Sequence, residues 1–332
     1  MSTLPAGFSS ELQYQFPTII NVCIFKGACS ANCVHCPVGI TAISERGDKF
    51  GTGSMSMEVF KKIADEVALY PNCTLRIHSV GEPLMWKDLA EAVEYTHSKG
   101  IMTWIFTNAV TTDRKLLETI VSKCSVIEVS VNSMDPEDYR ETKGVDAYNL
   151  VKENIEYMYK YMSDNKLNTR FLLSRVESDD KEYDRNFISF WKETGYAADV
   201  FVRSYHSYNS LIEDKIKNNK VVACHVHWAR FNVDTNGEAV VCFNELFKGP
   251  EMDRTLILGD LKKQSIQEIW HGEKLAKIRA SQIENKPELV DFTAGLPCSN
   301  CTYCQPLFSD SVKSENQIKY ILNSRNKHHE NI

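Results

Sequence analysis

The sequence predicts an α/β fold, a partial (β/α)6 TIM-like barrel followed by a small cysteine-bearing C-terminal domain. Three observations predict it. Over the first two hundred residues, six strand-like runs alternate with helix-period segments, which implies parallel strands joined by right-handed crossovers. Six units are too few to close an eight-stranded barrel. Near residue 206 the alternation stops and short hairpin-like pieces take over.

The elements follow in order. "PTIINVCIF" (17–25) is an apolar run that reads as the first strand. In "MSMEVFKKIADEVALY" (55–70), Phe60, Ile63, Ala64, Val67 and Ala68 share one helical stripe. "CTLRIHSVG" (73–81) reads as a strand. "DLAEAVEYTHSKG" (88–100) reads as a helix with Leu89, Ala92, Val93 and Thr96 on one face and Gly100 as the stop. Strand "IMTWIFTN" (101–108), helix "DRKLLETIVSK" (113–123) and strand "SVIEVSVNS" (125–133) come next. Helix "NLVKENIEYMYKYM" (149–162) spaces Val151, Ile155, Met158 and Met162 along one side. Strand "NTRFLLSRV" (168–176), helix "EYDRNFISFWKETG" (182–195) and strand "ADVFVRSY" (198–205) complete the units. Beyond them, "SYNSLIEDKIKNNK" (207–220) is a polar linker, and "FNVDTNGEAVVCFN" (231–244) is a hairpin around Asn236-Gly237. "SIQEIWHGEKLAKIRAS" (265–281) reads as one helix, capped by Ser265 with Glu268 three residues on. The expected division is an N-terminal extension (1–16), barrel (17–206), linker (207–223), cysteine domain (224–310) and C-terminal helix or tail (311–332).

The 332 residues carry a net charge of −6 with no Lys/Arg block and no basic-aromatic stripe, which argues against nucleic acid as a partner. "MSTLPAGFSSELQ" lacks the charged start and apolar core of a signal peptide. No window approaches the ~18–20 apolar residues of a membrane span. The expectation is a cytoplasmic protein with no membrane partner, in which eleven cysteines serve metal or catalysis rather than disulfides.

Cys23, Cys73 and Cys124 lie in or beside apolar strands and read as packed small hydrophobes. Cys29, Cys33 and Cys36 sit instead in "GACSANCVHCPVG" (27–39), a loop of small and turn-forming residues directly after the first strand. Zinc would want a fourth ligand. Three thiolates on one short loop suit a [4Fe-4S] cubane that leaves one iron open to a small molecule. The loop lies at the end of the sheet where α/β folds place their sites.

The C-x3-C-x2-C spacing of "CSANCVHC" and its place after the first of six β/α units resemble the radical S-adenosylmethionine superfamily. The resemblance implies that Cys29, Cys33 and Cys36 ligate a [4Fe-4S] cluster, with His35 standing where the family has an aromatic residue. It implies that the amino and carboxylate groups of S-adenosylmethionine (AdoMet) chelate the fourth iron. An electron then breaks the sulfonium bond, and a 5′-deoxyadenosyl radical takes hydrogen from a substrate carbon. "SVGEPL" (79–84) resembles the Gly-Gly-Glu segment that binds the amino group, with Val80 in place of the first glycine and Gly81 and Glu82 retained. "TNA" (107–109) matches the Thr-Asn-Gly strand end and places Asn108. "VSVNS" (129–133) offers Ser130 and Asn132 near the ribose and carboxylate. Arg175, late in the fifth strand, is a candidate for a two-bond contact to the carboxylate. A flavodoxin- or ferredoxin-type electron donor is implied as well.

A second group of cysteines follows. Cys224 and Cys242 bracket the hairpin, and "CSNCTYC" supplies Cys298, Cys301 and Cys304. A hairpin brings its ends together, so the first two can share a metal, with zinc as the plain alternative. "CHVHWARFNVDTNGEAVVC", "LGDL" (258–261), "SIQEIW" (265–270) and the last cysteines resemble the SPASM/twitch extension of radical enzymes. That resemblance implies one auxiliary [4Fe-4S] cluster held by four of the five thiols. Pairing Cys298 with Cys301 leaves Cys304 spare; Cys301 with Cys304 is the other choice. A spare Cys304 is a candidate hydrogen-atom donor. After the sixth strand, Tyr205, His206, Tyr208 and Asn209 are candidates to meet a polar substrate, as are His225 and His227, and a histidine there could serve as a general base.

The reactions left open are dehydrogenation of a sugar- or aminocyclitol-like metabolite, epimerisation of a similar substrate, and peptide modification by epimerisation, thioether or carbon–carbon cross-linking. The short stretch before the first strand disfavours an N-terminal peptide-binding domain. A non-enzymatic Fe–S or zinc scaffold is the alternative from a different class.

Overall fold

The computed structural model describes residues 4–213, 223–290 and 301. The expected linker falls mostly outside these residues, as do Cys298, Cys304 and the C-terminal helix or tail.

One sheet organises the chain. Its strands are β1 (Ile19–Lys26), β2 (Thr74–Val80), β3 (Met102–Thr107), β4 (Val126–Ser130), β5 (Arg170–Val176), β6 (Asp199–Arg203), β7 (Arg230–Val233), β8 (Glu238–Val240) and β9 (Ile257–Asp260). Their spatial order is β6-β5-β4-β3-β2-β1-β7-β8-β9. The six barrel strands pair in parallel and in chain order, as the alternation predicts. Helices Met57–Val67, Leu89–Ser98, Arg114–Lys123, Tyr148–Asp164 and Lys181–Glu193 cross between them.

Side-chain alternation splits the sheet into two faces. Ile77, Ile105, Ile127 and Leu173 point outward and join Phe60, Val93, Ile120, Ile155 and Trp191 of the helices in the main core. The inward face is polar and aromatic at its centre. The Arg76 guanidinium lies 4.5 Å from the Trp104 ring centre and 4.6 Å from that of Phe106. Arg203 is ion-paired to the buried Glu128, which also accepts from Ser174 Oγ at 2.7 Å.

The C-terminal hairpin forms where the Asn-Gly turn predicts it, but it extends the barrel sheet. β7 runs parallel to β1, from Ile19 opposite Arg230 to Val22 opposite Val233. A partial barrel leaves the β1 edge unpaired, and an open row of backbone donors and acceptors is costly once buried. Asn21 Nδ2 donates to Asn232 Oδ1 at 2.8 Å, and Lys26 Nζ lies 2.6 Å from Asp234 Oδ1, so side chains lock the join.

Two helical expectations need correction. The segment 265–281 is two helices, Ile266–Trp270 and Glu273–Glu284, broken at Gly272, whose backbone is extended. Glycine is a weak helix former, and the break lets Arg279 donate to the Trp270 carbonyl at 2.9 Å. The capping box of Ser265 and Glu268 is present as expected. A helix over Pro136–Lys143 was not expected. Its signals were legible: Asp135 caps it, Pro136 opens it and Gly144 closes it in a left-handed conformation. Among the described residues no helix is long and apolar enough to cross a membrane.

Candidate functional site

The three-cysteine loop is fastened at both ends. Gly27 N donates to Val80 O, and Glu82 N donates to Ala28 O, each at 2.9 Å. Gly81 has φ +152°, and a side chain there would collide with the Ala28 carbonyl, so the retained glycine is a packing requirement. Asn32 N donates to Lys143 O at 2.7 Å and Val34 N to Thr142 O at 3.1 Å, which seats the loop on the 136–143 helix. Arg46, buried, donates to Thr41 O, Cys29 O and Asn32 Oδ1 at 3.0, 3.3 and 2.5 Å. Sequence reasoning missed this clamp.

The thiols face one another. Burial, Glu82 and then Cys33 push the Cys29 thiol up to about 12; burial and then Cys33 push Cys36 up to about 11. Such mutual repulsion between sulfurs is relieved when a cationic metal centre binds them as thiolates. Three thiols on one short loop are the donor set of a [4Fe-4S] cluster, in which each thiolate binds its own iron. Asn108 Nδ2 lies 3.6 Å from Cys29 Sγ and contacts Ser30 Oγ, so the expected Thr-Asn strand end does reach the loop.

The other expected residues divide. Glu82 is buried and already engaged: Oε1 accepts from Thr107 Oγ1 at 2.6 Å and Leu84 N at 3.2 Å, and Oε2 from Asn108 N at 2.9 Å. Burial raises its pKa while these donors oppose the rise. It acts first as a brace between the ends of β2 and β3. Asn132, at φ +65°, donates to Ser130 Oγ at 2.9 Å and accepts from Val176 N at 2.7 Å, bracing β4 to β5. Arg175 is partly engaged elsewhere. Its Nε lies 3.1 Å from Asp184 Oδ1, and its guanidinium stacks 4.4 Å from Tyr183 in the helix layer. Ser174 faces Glu128 inside the barrel, so the next residue along the strand turns to the helices. One edge of its fork is spent there.

His35 is half-buried; burial, then Lys143, His206 and Arg175, push its pKa down to about 3. His206, whose ring centre is 3.9 Å from that of Tyr208, is pushed down to about 4 by burial and Arg203. A neutral imidazole with so low a pKa is a weak base. Tyr205 Oη donates to Glu213 O at 2.7 Å. Tyr208 packs edge-on against Phe247, with ring centres 4.6 Å apart.

Lys143 is a buried residue near the loop that sequence reasoning did not single out. It is 2% exposed, at the end of the unexpected helix. It lies within electrostatic range of Cys36, His35 and Glu82, yet among the described residues it forms no ion pair. A buried ammonium without an ionic partner is costly. The Asp135-Pro136 start and Gly144 stop could have located its helix, but not the direction of its side chain.

Cys224, Cys242 and Cys301 are brought together. Burial pushes the Cys242 thiol up to about 12, and Cys224 and Cys301 add to the rise. Cys298 and Cys304 lie outside the described residues, so the choice of fourth ligand and the spare-thiol role of Cys304 rest on sequence alone. His225 and His227 are buried, 3% and 2% exposed. The short helix Val226–Ala229 tucks them beneath Glu273–Glu284, where the His227 carbonyl accepts from Arg279 at 2.8 Å. Cys23, Cys73 and Cys124 are buried in apolar surroundings as expected.

Comparison with known proteins adds the following. Residues 23–187 match the family model described as the radical SAM superfamily, and residues 224–302 match the SPASM iron–sulfur cluster-binding domain. BtrN, solved in complex with AdoMet and 2-DOIA, is 17% identical with a TM-score of 0.55, over 90% of this chain and 97% of that one. Streptococcus suis SuiB bound to precursor peptide SuiA is 15% identical with a TM-score of 0.63, over 80% and 67%. Tagged anSMEcpe with bound AdoMet is 13% identical with a TM-score of 0.59, over 92% and 97%. At these identities the likeness is one of fold. No curated protein matches the sequence.

Proposed function

This chain belongs to the radical SAM superfamily and carries a C-terminal SPASM iron–sulfur domain, and from that premise we propose that it dehydrogenates or inverts a carbon of a small polar metabolite, sugar- or aminocyclitol-like. When bound, the [4Fe-4S] cluster and AdoMet supply a carbon radical able to remove an unactivated hydrogen atom. The chain's own residues position and exclude. Cys29, Cys33 and Cys36 would hold the cluster, with Asn108 donating toward Cys29. Lys143 would hold the AdoMet carboxylate, the role first expected of Arg175. Ser130 remains a candidate for the ribose. Cys224, Cys242 and Cys301, with Cys298 or Cys304, would hold the auxiliary cluster.

The observation that carries the small-substrate reading is the barrel lining. Arg203, Glu128 and Ser174 form a hydrogen-bonded polar array, and His78 stacks on Phe106 at 4.4 Å, so polar and aromatic side chains face the interior. Such an array suits hydroxyl and amino substituents. Peptide modification is the second reading, favoured by the fold likeness to peptide-bound SuiB.

The test is anaerobic incubation of reconstituted protein with AdoMet, reductant and a panel of aminocyclitols and sugars in D2O. The expected result is 5′-deoxyadenosine formation stimulated by one such compound. A ketone product indicates dehydrogenation, and deuterium at an inverted carbon indicates epimerisation. Stimulation by peptides alone would replace the proposal with the second reading. Lys143→Met is expected to leave iron content unchanged and to weaken AdoMet binding about tenfold or more, the scale of a charge-assisted hydrogen bond, measured by isothermal titration calorimetry.

A further inference from the structure

The strand end that meets the cysteine loop is held from behind. Asn108 follows β3 and is buried. Its backbone N–H donates to Glu82 Oε2 at 2.9 Å, and its side-chain Oδ1 accepts from Val110 N at 2.8 Å. A backbone N–H can only donate, so the oxygen end of the amide is fixed at Val110 and the Nδ2 end is turned to the loop. Nδ2 lies 3.6 Å from Cys29 Sγ and 3.1 Å from Ser30 Oγ. The next residue, Ala109, stands at φ +58°, a left-handed backbone that a side chain disfavours. A contact from the helix layer holds it there. Asn154 is fully buried in the helix Tyr148–Asp164, on the side that carries Val151 and Met158. Its Nδ2 donates to the Ala109 and Thr111 carbonyls, at 2.8 Å each. A buried amide nitrogen is costly unless it is bonded, and here both of its N–H bonds are spent on the turn after Asn108.

Resting on the reading that Cys29, Cys33 and Cys36 hold a cluster, we propose that Asn108 raises the reduction potential of that cluster by donating to the Cys29 sulfur, and that Asn154 is the positioning residue that keeps it there. A thiolate ligand has no proton to give, so the amide is the donor. A donor to a ligand sulfur favours the state with the extra electron. Among the described residues Asn154 has no hydrogen bond to the loop, so its effect passes through the Ala109 turn. A helix of the outer layer thereby sets a property of the loop at the strand ends.

The test is an EPR-monitored potentiometric titration of the reconstituted full chain, with the signal assigned by its change on adding AdoMet. Asn108→Leu keeps the volume and removes the donor. The expected result is unchanged iron content and a midpoint shifted negative, with the reduced-to-oxidised ratio at fixed potential falling about tenfold, or ~59 mV for a one-electron couple. Asn154→Leu is expected to keep the iron and to shift the midpoint the same way by less. Adding Ala109→Gly to Asn154→Leu relieves the left-handed strain and is expected to return the midpoint toward its starting value. An unchanged midpoint with full iron in Asn108→Leu overturns the proposal, and the same result in Asn154→Leu overturns the positioning role. Should Asn108→Leu lose its iron, Asn154→Leu decides alone, and loss of iron in both overturns the proposal. Full iron in the Cys29, Cys33 and Cys36 triple-alanine variant would instead overturn the cluster reading beneath it.

Discussion

Cys36→Ala is expected to lower 5′-deoxyadenosine formation below detection and to remove the iron of one [4Fe-4S] cluster while the auxiliary cluster stays. The reason is geometric. Cys29, Cys33 and Cys36 lie on one loop that is fastened by Arg46, by the end of β2 and by the 136–143 helix, so the loop cannot readily shift to offer a substitute ligand. Cys23 is the nearest in sequence, but it is fully buried within β1. Cys124→Ala is the control. Its thiol is also buried, yet it packs among apolar side chains of the outer core, and its loss should leave iron and activity intact. Iron and sulfide assays with product chromatography check both. Full iron in Cys36→Ala would remove the basis of the functional reading.

Asp234→Ala is expected to destabilise the protein by about 3–5 kcal/mol, the cost of stranding a buried charge. Lys26 ends β1, and Asp234 opens the turn after β7. Both side chains are 9% exposed and they meet at 2.6 Å. Removing the carboxylate leaves the ammonium sealed beneath the hairpin and loosens the parallel seam that joins the C-terminal segment to the barrel. Replacing both partners, Lys26→Met with Asp234→Leu, should recover most of the loss, because the uncompensated charge disappears with the pair. Urea unfolding of the two variants measures this. Equal destabilisation of single and double variants would show that the pair acts through shape rather than charge.

Much of the barrel was legible because its signals are local. Strand and helix periods repeat along the chain, and each apolar stripe marks a face whose partner need not be known. The hairpin was legible for the same reason, through Asn236-Gly237. Its union with β1 was not, because strand pairing across some two hundred residues leaves no local trace. Glu82 and Asn132 follow β2 and β4 as the sequence places them, and their bonds run mostly to neighbouring strand ends. Arg175 was read from residue type, while strand alternation had already turned it toward Asp184.

By itself the sequence determined the six β/α units, the loop with three thiols after the first strand, and the grouping of later cysteines around a hairpin. These depend on spacing within a dozen residues, where chain geometry leaves few options. Only the tertiary structure decided that Lys143 is a buried cation beside the loop, that Arg46 clamps the cysteine loop, and that one sheet runs from the barrel into the hairpin. Each of these needs residues far apart in the chain to be packed together, and packing is set by the whole core rather than by any one segment.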